Sequence, residues 1–133
     1  YCDGQFHIAH SNSVIEHVGD WGRMTKFASE VRRLAPNLFV QTPSFWFPIE
    51  PHFMTPFFHW LPKPLRVSLL LRFNLGNHRR ARNVDGAVRA VESARLLDAR
   101  MMQVLFPDTT ILKERVLLLT KSLIAVRKEG QPN

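Results

Sequence analysis

Phe6-His-Ile-Ala-His10, Trp21 to Leu34 and Leu38-Phe-Val-Gln-Thr42 are the stretches whose order decides the fold. The first alternates in the manner of a half-buried strand, and Ser11-Asn12-Ser13 breaks it with residues that turns and helix caps prefer. In the second, Trp21, Met24, Phe27, Ala28, Val31 and Leu34 recur at spacings of three and four behind Asp20, a suitable N-cap. That pattern predicts an amphipathic helix, and Pro36 ends it because proline disfavours helical geometry in the residue before it. The third stretch is short, rich in β-formers and closed by Pro43. Strand, helix and strand in this order read as a βαβ unit, which implies a parallel pair.

Downstream the composition changes. Residues 43–64 hold six prolines and seven aromatics, which argues against regular structure there. Leu65 to Phe73 reads as a short amphipathic helix with Arg66 and Arg72 outward, Gly76 to Asn83 as a basic loop, and Val84 to Ala94 as a helix. Asp98 is a second N-cap, heading a helix whose apolar side is Met101, Met102, Leu105 and Phe106, with the methionines as core filler. Thr109 to Val116 and Ser122 to Lys128, joined through Leu117 to Lys121, read as an antiparallel hairpin, followed by a frayed tail from Gly130.

Composition sets the outer bounds. With 133 residues, 45% apolar and 22% charged, the chain fits one globular domain and no collagen-like, disordered or disulfide-stapled class. A single cysteine, Cys2, excludes an internal disulfide, no apolar run approaches the roughly 20 residues of a membrane span, and Tyr1 opens no signal-peptide pattern. A cytoplasmic location is therefore expected. The lack of an initiator Met, with an apolar segment starting at once, leads to the expectation that an upstream portion is missing. The net charge of +7 is clustered: Lys63, Arg66, Arg72, Arg79, Arg80, Arg82 and Arg89 stand against Asp85 alone. Such a run is a solvated surface or a contact for an anionic partner.

The residues Asp3-Gly-Gln-Phe-His-Ile-Ala-His-Ser-Asn-Ser-Val-Ile-Glu-His-Val18, the helix ending Arg32-Arg-Leu-Ala-Pro36, and Phe39-Val-Gln-Thr-Pro43 resemble the second half of class I S-adenosylmethionine-dependent methyltransferases, the branch with a type 11 or type 12 domain. Lys113-Glu-Arg and Thr120-Lys-Ser-Leu-Ile-Ala are similar to that family's closing strands. The resemblance implies an α/β, Rossmann-like sheet in partial form, its fourth, fifth, seventh and sixth strands with flanking helices. It covers the chain as a single domain, residues 1–133, except for a Pro/aromatic-rich and basic insert at residues 43–83. It implies methyl transfer from S-adenosylmethionine to a small or lipid-like acceptor. The glycine-rich cofactor loop and the acidic residue after the second strand are missing, since glycines at 4, 19, 22, 76, 86 and 130 form no such turn. These 133 residues alone are thus expected to bind the cofactor weakly and to be inactive. The strand from Phe6 to His10 is left with a bare edge, so it pairs with a second copy, is covered, or is poorly ordered.

On this resemblance Ser11, Asn12 and Ser13 line the methionine side of the cofactor; turn chemistry explains them equally well. Glu16 and His17 offer an acid/base pair or a structural one. Glu50 and His52, within the aromatic insert, are substrate-side candidates, with His52 the first choice for deprotonating a hydroxyl or amine acceptor; a loop histidine bonded to backbone is the alternative. Methyl transfer rests mostly on alignment and desolvation and can proceed without a base. No metal site is expected, because His7 and His10 fall on opposite strand faces with no ligands to complete a set. Trp46, Trp60 and the Phe cluster form a private mini-core or line an acceptor pocket. The rival readings are a non-catalytic methyltransferase-like interaction module, and a basic, aromatic surface for anionic membrane or RNA, with peripheral membrane contact favoured over nucleic acid.

Overall fold

The computed structural model describes residues 1–130; the tail beyond, where fraying is expected, lies outside them. The fold is mixed α/β, with a four-stranded sheet and four helices. Strand β1 is Ile8–Asn12, α1 Trp21–Leu34, β2 Asn37–Pro43, α2 Lys63–Arg72, α3 Val84–Glu92, α4 Ala99–Leu105, β3 Thr110–Val116 and β4 Leu119–Arg127. The chain divides into two compact units, one of residues 1–46 with Arg95 onward, the other Phe47–Ala94.

In the first unit the strand order is β1-β2-β4-β3. β1 and β2 are parallel, with His10 opposite Phe39 and Ser11 opposite Val40. β4 runs antiparallel to both β2 and β3. β1 begins two residues later than the alternation suggests and runs through Ser11 and Asn12, which are strand residues here and not the turn. The Phe6 amide is drawn off instead to the Leu34 carbonyl, at 3.0 Å. The hairpin turn is also tighter than expected: Leu117, at φ 55°, and Leu118 make the join, and β4 has already begun at Leu119.

Leu38, Val40 and Thr42 share the buried face of β2, because alternate residues of a strand face the same way. Leu38 and Val40 pack with Leu123 and Ala125 of β4 against Met24 and Ala28 of α1 and Met102 and Leu105 of α4. Met101 does not join this core: it is exposed, while Met102 is fully buried. Both helices begin as their caps require, Asp20 accepting from the Arg23 amide at 2.9 Å and Asp98 from the Met101 amide at 2.8 Å. Each such cap contributes about 1 kcal/mol.

The second unit has its own core of Phe53, Phe58, Leu70, Ala87 and Val91, formed where α2 packs on α3. α2 starts two residues before the apolar pattern, because Pro64 near its N-terminus costs no hydrogen bond there. Arg66 is not wholly outward: its Nε is buried. Asn83 caps α3 by accepting from the Gly86 amide at 2.8 Å.

Candidate functional site

In the first unit the candidate residues gather at the carboxyl end of β1, the sheet end where open α/β folds bind ligands. Ser13 leaves the strand with φ 53°, donating its amide to the Gln41 carbonyl at 2.9 Å and its hydroxyl to Asn12 Oδ1 at 3.2 Å. Ser11 Oγ is buried and lacks a hydrogen-bond partner among the described residues. A short 3-10 turn, Ile15–His17, follows. Its Ile15 is fully buried in the sheet core and draws Glu16 in behind it, leaving that carboxylate 1% exposed.

Thr42, at the end of β2, donates its hydroxyl to Glu16 Oε2 at 2.8 Å, and the Arg95 amide donates to the Glu16 carbonyl at 2.8 Å. Glu16 Oε1 has no hydrogen-bond partner among the described residues. A His17 ring nitrogen lies within 4.8 Å of a Glu16 carboxylate oxygen, with His17 itself exposed. The bonded side-chain partner of Glu16 is thus Thr42, which sequence reasoning did not single out. Thr42 registers in the sequence only as a β-former, and its hydroxyl gives no signal until the strand register is known.

Glu50 and His52 belong to the second unit, in the turn between Ile49 and Pro56, which form an isolated antiparallel bridge. Glu50 is 3% exposed. Its Oε1 accepts from the His52 amide at 3.1 Å and faces His52 Nδ1 in a short contact; its Oε2 accepts from the Phe53 amide at 3.0 Å. A carboxylate bound at Nδ1 holds the proton there and makes Nε2 the basic nitrogen. Arg66 is the unforeseen neighbour. Burial lowers its guanidinium below the ordinary arginine range, and the Glu50 charge opposes that shift.

The aromatic stretch divides. Phe53 and Phe58 are buried, with rings 4.5 Å apart, as a private mini-core requires. Phe57 and Trp60 are 54% and 41% exposed. Trp46 belongs to the first unit and is 62% exposed, beside a groove of about 380 Å³ lined also by Asp98, Ala99, Arg100 and Lys113. None of the described helices is long and apolar enough to cross a membrane.

No protein-family model matches the chain, and no curated protein matches it. Among solved structures the chain is similar to an O-methyltransferase family protein from Burkholderia thailandensis, with a TM-score of 0.44 and 13% sequence identity. That similarity covers 93% of this chain, which spans 31% of the length of the other.

Proposed function

We propose that this chain is the C-terminal half of a class I S-adenosylmethionine-dependent methyltransferase domain whose acceptor is small or lipid-like. The observation that carries the reading is the sheet. Its β1-β2-β4-β3 order, one parallel pair followed by two antiparallel ones, is the pattern implied by the resemblance for the fourth, fifth, seventh and sixth strands. Of the residues that carry the resemblance, Ile8 to Asn12 form β1, Ser13 to Val18 follow it and Phe39 to Pro43 lie in β2, an order that supports the reading.

The residues present do not by themselves fit the cofactor. Ser11 supplies one unpartnered buried hydroxyl, but no glycine-rich turn follows a strand, and the buried carboxylate nearby, Glu16, is already engaged by Thr42. On the acceptor side, His52 is the residue suited to receive a proton from a hydroxyl or amine, with Glu50 holding its ring. With an acceptor bound there, His52 Nε2 would take up the hydroxyl or amine proton, leaving the heteroatom the stronger nucleophile, and Glu50 would stabilise the imidazolium. The decisive experiment joins the reading frame upstream of Tyr1 to this chain. A glycine-rich strand-loop-helix there, with transfer of labelled methyl from S-adenosylmethionine by the joined polypeptide, is the expected result; absence of that loop, or of both binding and transfer, overturns the proposal.

One observation favours a second reading. Among the described residues β1 pairs on one side only, and its Ile8 is exposed, so the edge is open to a second copy. A homodimer through β1, acting as an interaction module, predicts a concentration-dependent mass in sedimentation that Ile8→Lys abolishes.

A further inference from the structure

We propose that the unit Phe47–Ala94 docks on an anionic phospholipid surface, through the exposed apolar residues Met54, Phe57 and Trp60 and the arginine loop Arg79, Arg80 and Arg82. The inference holds whether or not the sheet unit takes part in methyl transfer. Its first support is charge. In this unit Lys63 pairs with Glu92 and Arg89 with Asp85, so those cations are locally neutralised. Arg79, Arg80 and Arg82 are all exposed and make no ion pair among the described residues. Among the described residues Arg66 and Arg72 of α2 make no ion pair either, so three of the unit's five cations without one sit on this loop.

That loop is pinned to the core. The Arg80 amide donates to Asn74 Oδ1 at 2.7 Å and the Ala81 amide to the Leu70 carbonyl at 2.8 Å, while Leu75 and His78 exchange two bonds of 2.9 Å. His78 stacks on Phe53 with centroids 4.4 Å apart, and Phe53 packs on Phe58. Phe58 is the residue beside Phe57, so the arginine loop and the apolar residues are tied to one mini-core.

The apolar residues are held outward by unusual backbone. Met54 and Phe57 have φ of 50° and 62°, a region that side chains other than Asn, Asp and Gly seldom occupy. Both are more than half exposed. A left-handed backbone spent on exposed apolar side chains is strain without burial to offset it in the free protein. Exposed apolar side chains and unpaired guanidinium groups anchored to one mini-core match the chemistry of an anionic bilayer interface, where Trp and Phe settle at headgroup depth and arginines meet phosphates. RNA is the poorer fit. Phe57 and Trp60 already pack on each other, tilted at 48° with centroids 5.2 Å apart, and Met54 is aliphatic and offers no face for a base.

The test is co-sedimentation of the full 133-residue chain with vesicles of phosphatidylcholine alone, or mixed equally with phosphatidylglycerol. Binding to the anionic vesicles only, falling steeply with added sodium chloride, is expected. The double variant Arg79→Ala, Arg80→Ala should weaken binding about 30-fold. Phe57→Asn, which suits the left-handed backbone and so keeps the fold, should weaken it about tenfold. Removing two charges from the sheet unit, Arg100→Ala with Arg115→Ala, should change it less than about threefold if the loop is responsible. Equal binding to neutral vesicles, no binding, an equal loss in the sheet-unit variant, or tighter binding to a single-stranded oligouridylate at the same salt would each overturn the proposal.

Discussion

Thr42 Oγ1 and Glu16 Oε2 meet at 2.8 Å between the end of β2 and the 3-10 turn that follows β1, both residues almost wholly buried. A carboxylate this deep is costly unless donors surround it. Thr42 supplies the one side-chain donor, and Oε1 has none among the described residues. Thr42→Val keeps the shape and strips Glu16 of that bond, so it should lower the stability of the sheet unit by about 1–3 kcal/mol in urea denaturation. Adding Glu16→Leu removes the stranded carboxylate and should return part of the loss, because pairing two apolar groups is nearly neutral where stranding one polar group is not. A Thr42→Val variant as stable as the parent would show that Glu16 is satisfied elsewhere.

Asp108 ties the sheet to α1. Its carboxylate accepts from Arg32 Nε at 2.6 Å and also meets Arg127 Nη1. Arg127 in turn donates to the carbonyls of Arg32 at 2.9 Å, Ala35 at 2.6 Å and Pro36 at 2.8 Å, groups orphaned where α1 ends. Burial pushes the Asp108 carboxyl upward, but the Arg32 bond, its own backbone and Arg127 outweigh burial and hold it below the ordinary aspartate value. A carboxyl lowered in the folded state adds stability that is complete above its unfolded value of about 4 and is lost as pH falls through the lower folded value. Thermal midpoints should therefore hold above about pH 5 and fall in more acid solution, and Asp108→Asn should flatten that acid limb. Glu30 beside Arg33 and Glu114 beside Ser122 are lowered too, so the limb should shrink without vanishing. An unchanged limb in Asp108→Asn would remove this account.

The parts of the fold that were legible in the sequence are those that local chemistry decides. Asp20, Asp98 and Pro36 bound their helices because a cap or a ring acts within a few residues. The parallel pairing of β1 and β2 follows from the helix between them, and the final hairpin from two neighbouring β-rich runs. What escaped depends on partners distant in sequence. Leu117-Leu118-Leu119 carries no turn residue, yet the chain turns there because the pairing of β3 with β4 leaves no other length. Ser11 and Asn12 stay in strand because Val40 and Gln41 lie alongside them. For the site, the Glu50 and His52 pairing was readable from two residues of separation, whereas the influence of the Glu50 charge on Arg66 comes from another element.

Glu50 and His52 can be separated by experiment. Glu50 binds two backbone amides besides the imidazole, so its loss should destabilise the second unit, and Glu50→Gln should cost about 1–3 kcal/mol because an amide nitrogen would face an N–H group. His52→Ala leaves the backbone bonds in place and should cost less. On the proposed methyltransferase reading, His52→Ala in the polypeptide joined to its upstream frame should lower kcat about 100-fold with little change in KM. Turnover that is unaffected would leave His52 only its place in the turn.

Gly76 sets the entry to the arginine loop. It has φ +53°, and a Cβ placed there would lie 1.8 Å from the Phe53 carbonyl oxygen, so the backbone of one or the other must move. The obstacle is main chain within the mini-core, and no side-chain rotation relieves it. Phe53 is buried, stacks on His78 and packs at a tilt on Phe58, so displacing it disturbs the packing of the second unit together with the loop. Gly76→Ala should therefore cost well over the roughly 1–2 kcal/mol charged to a left-handed non-glycine residue alone. Limited proteolysis should show new cuts within residues 47–94, while amide protection in β2 and β4 of the sheet unit persists. Uniform loss of protection across the chain would mean that the two units unfold together, and wild-type resistance throughout would mean that the loop can shift away from Phe53 at little cost.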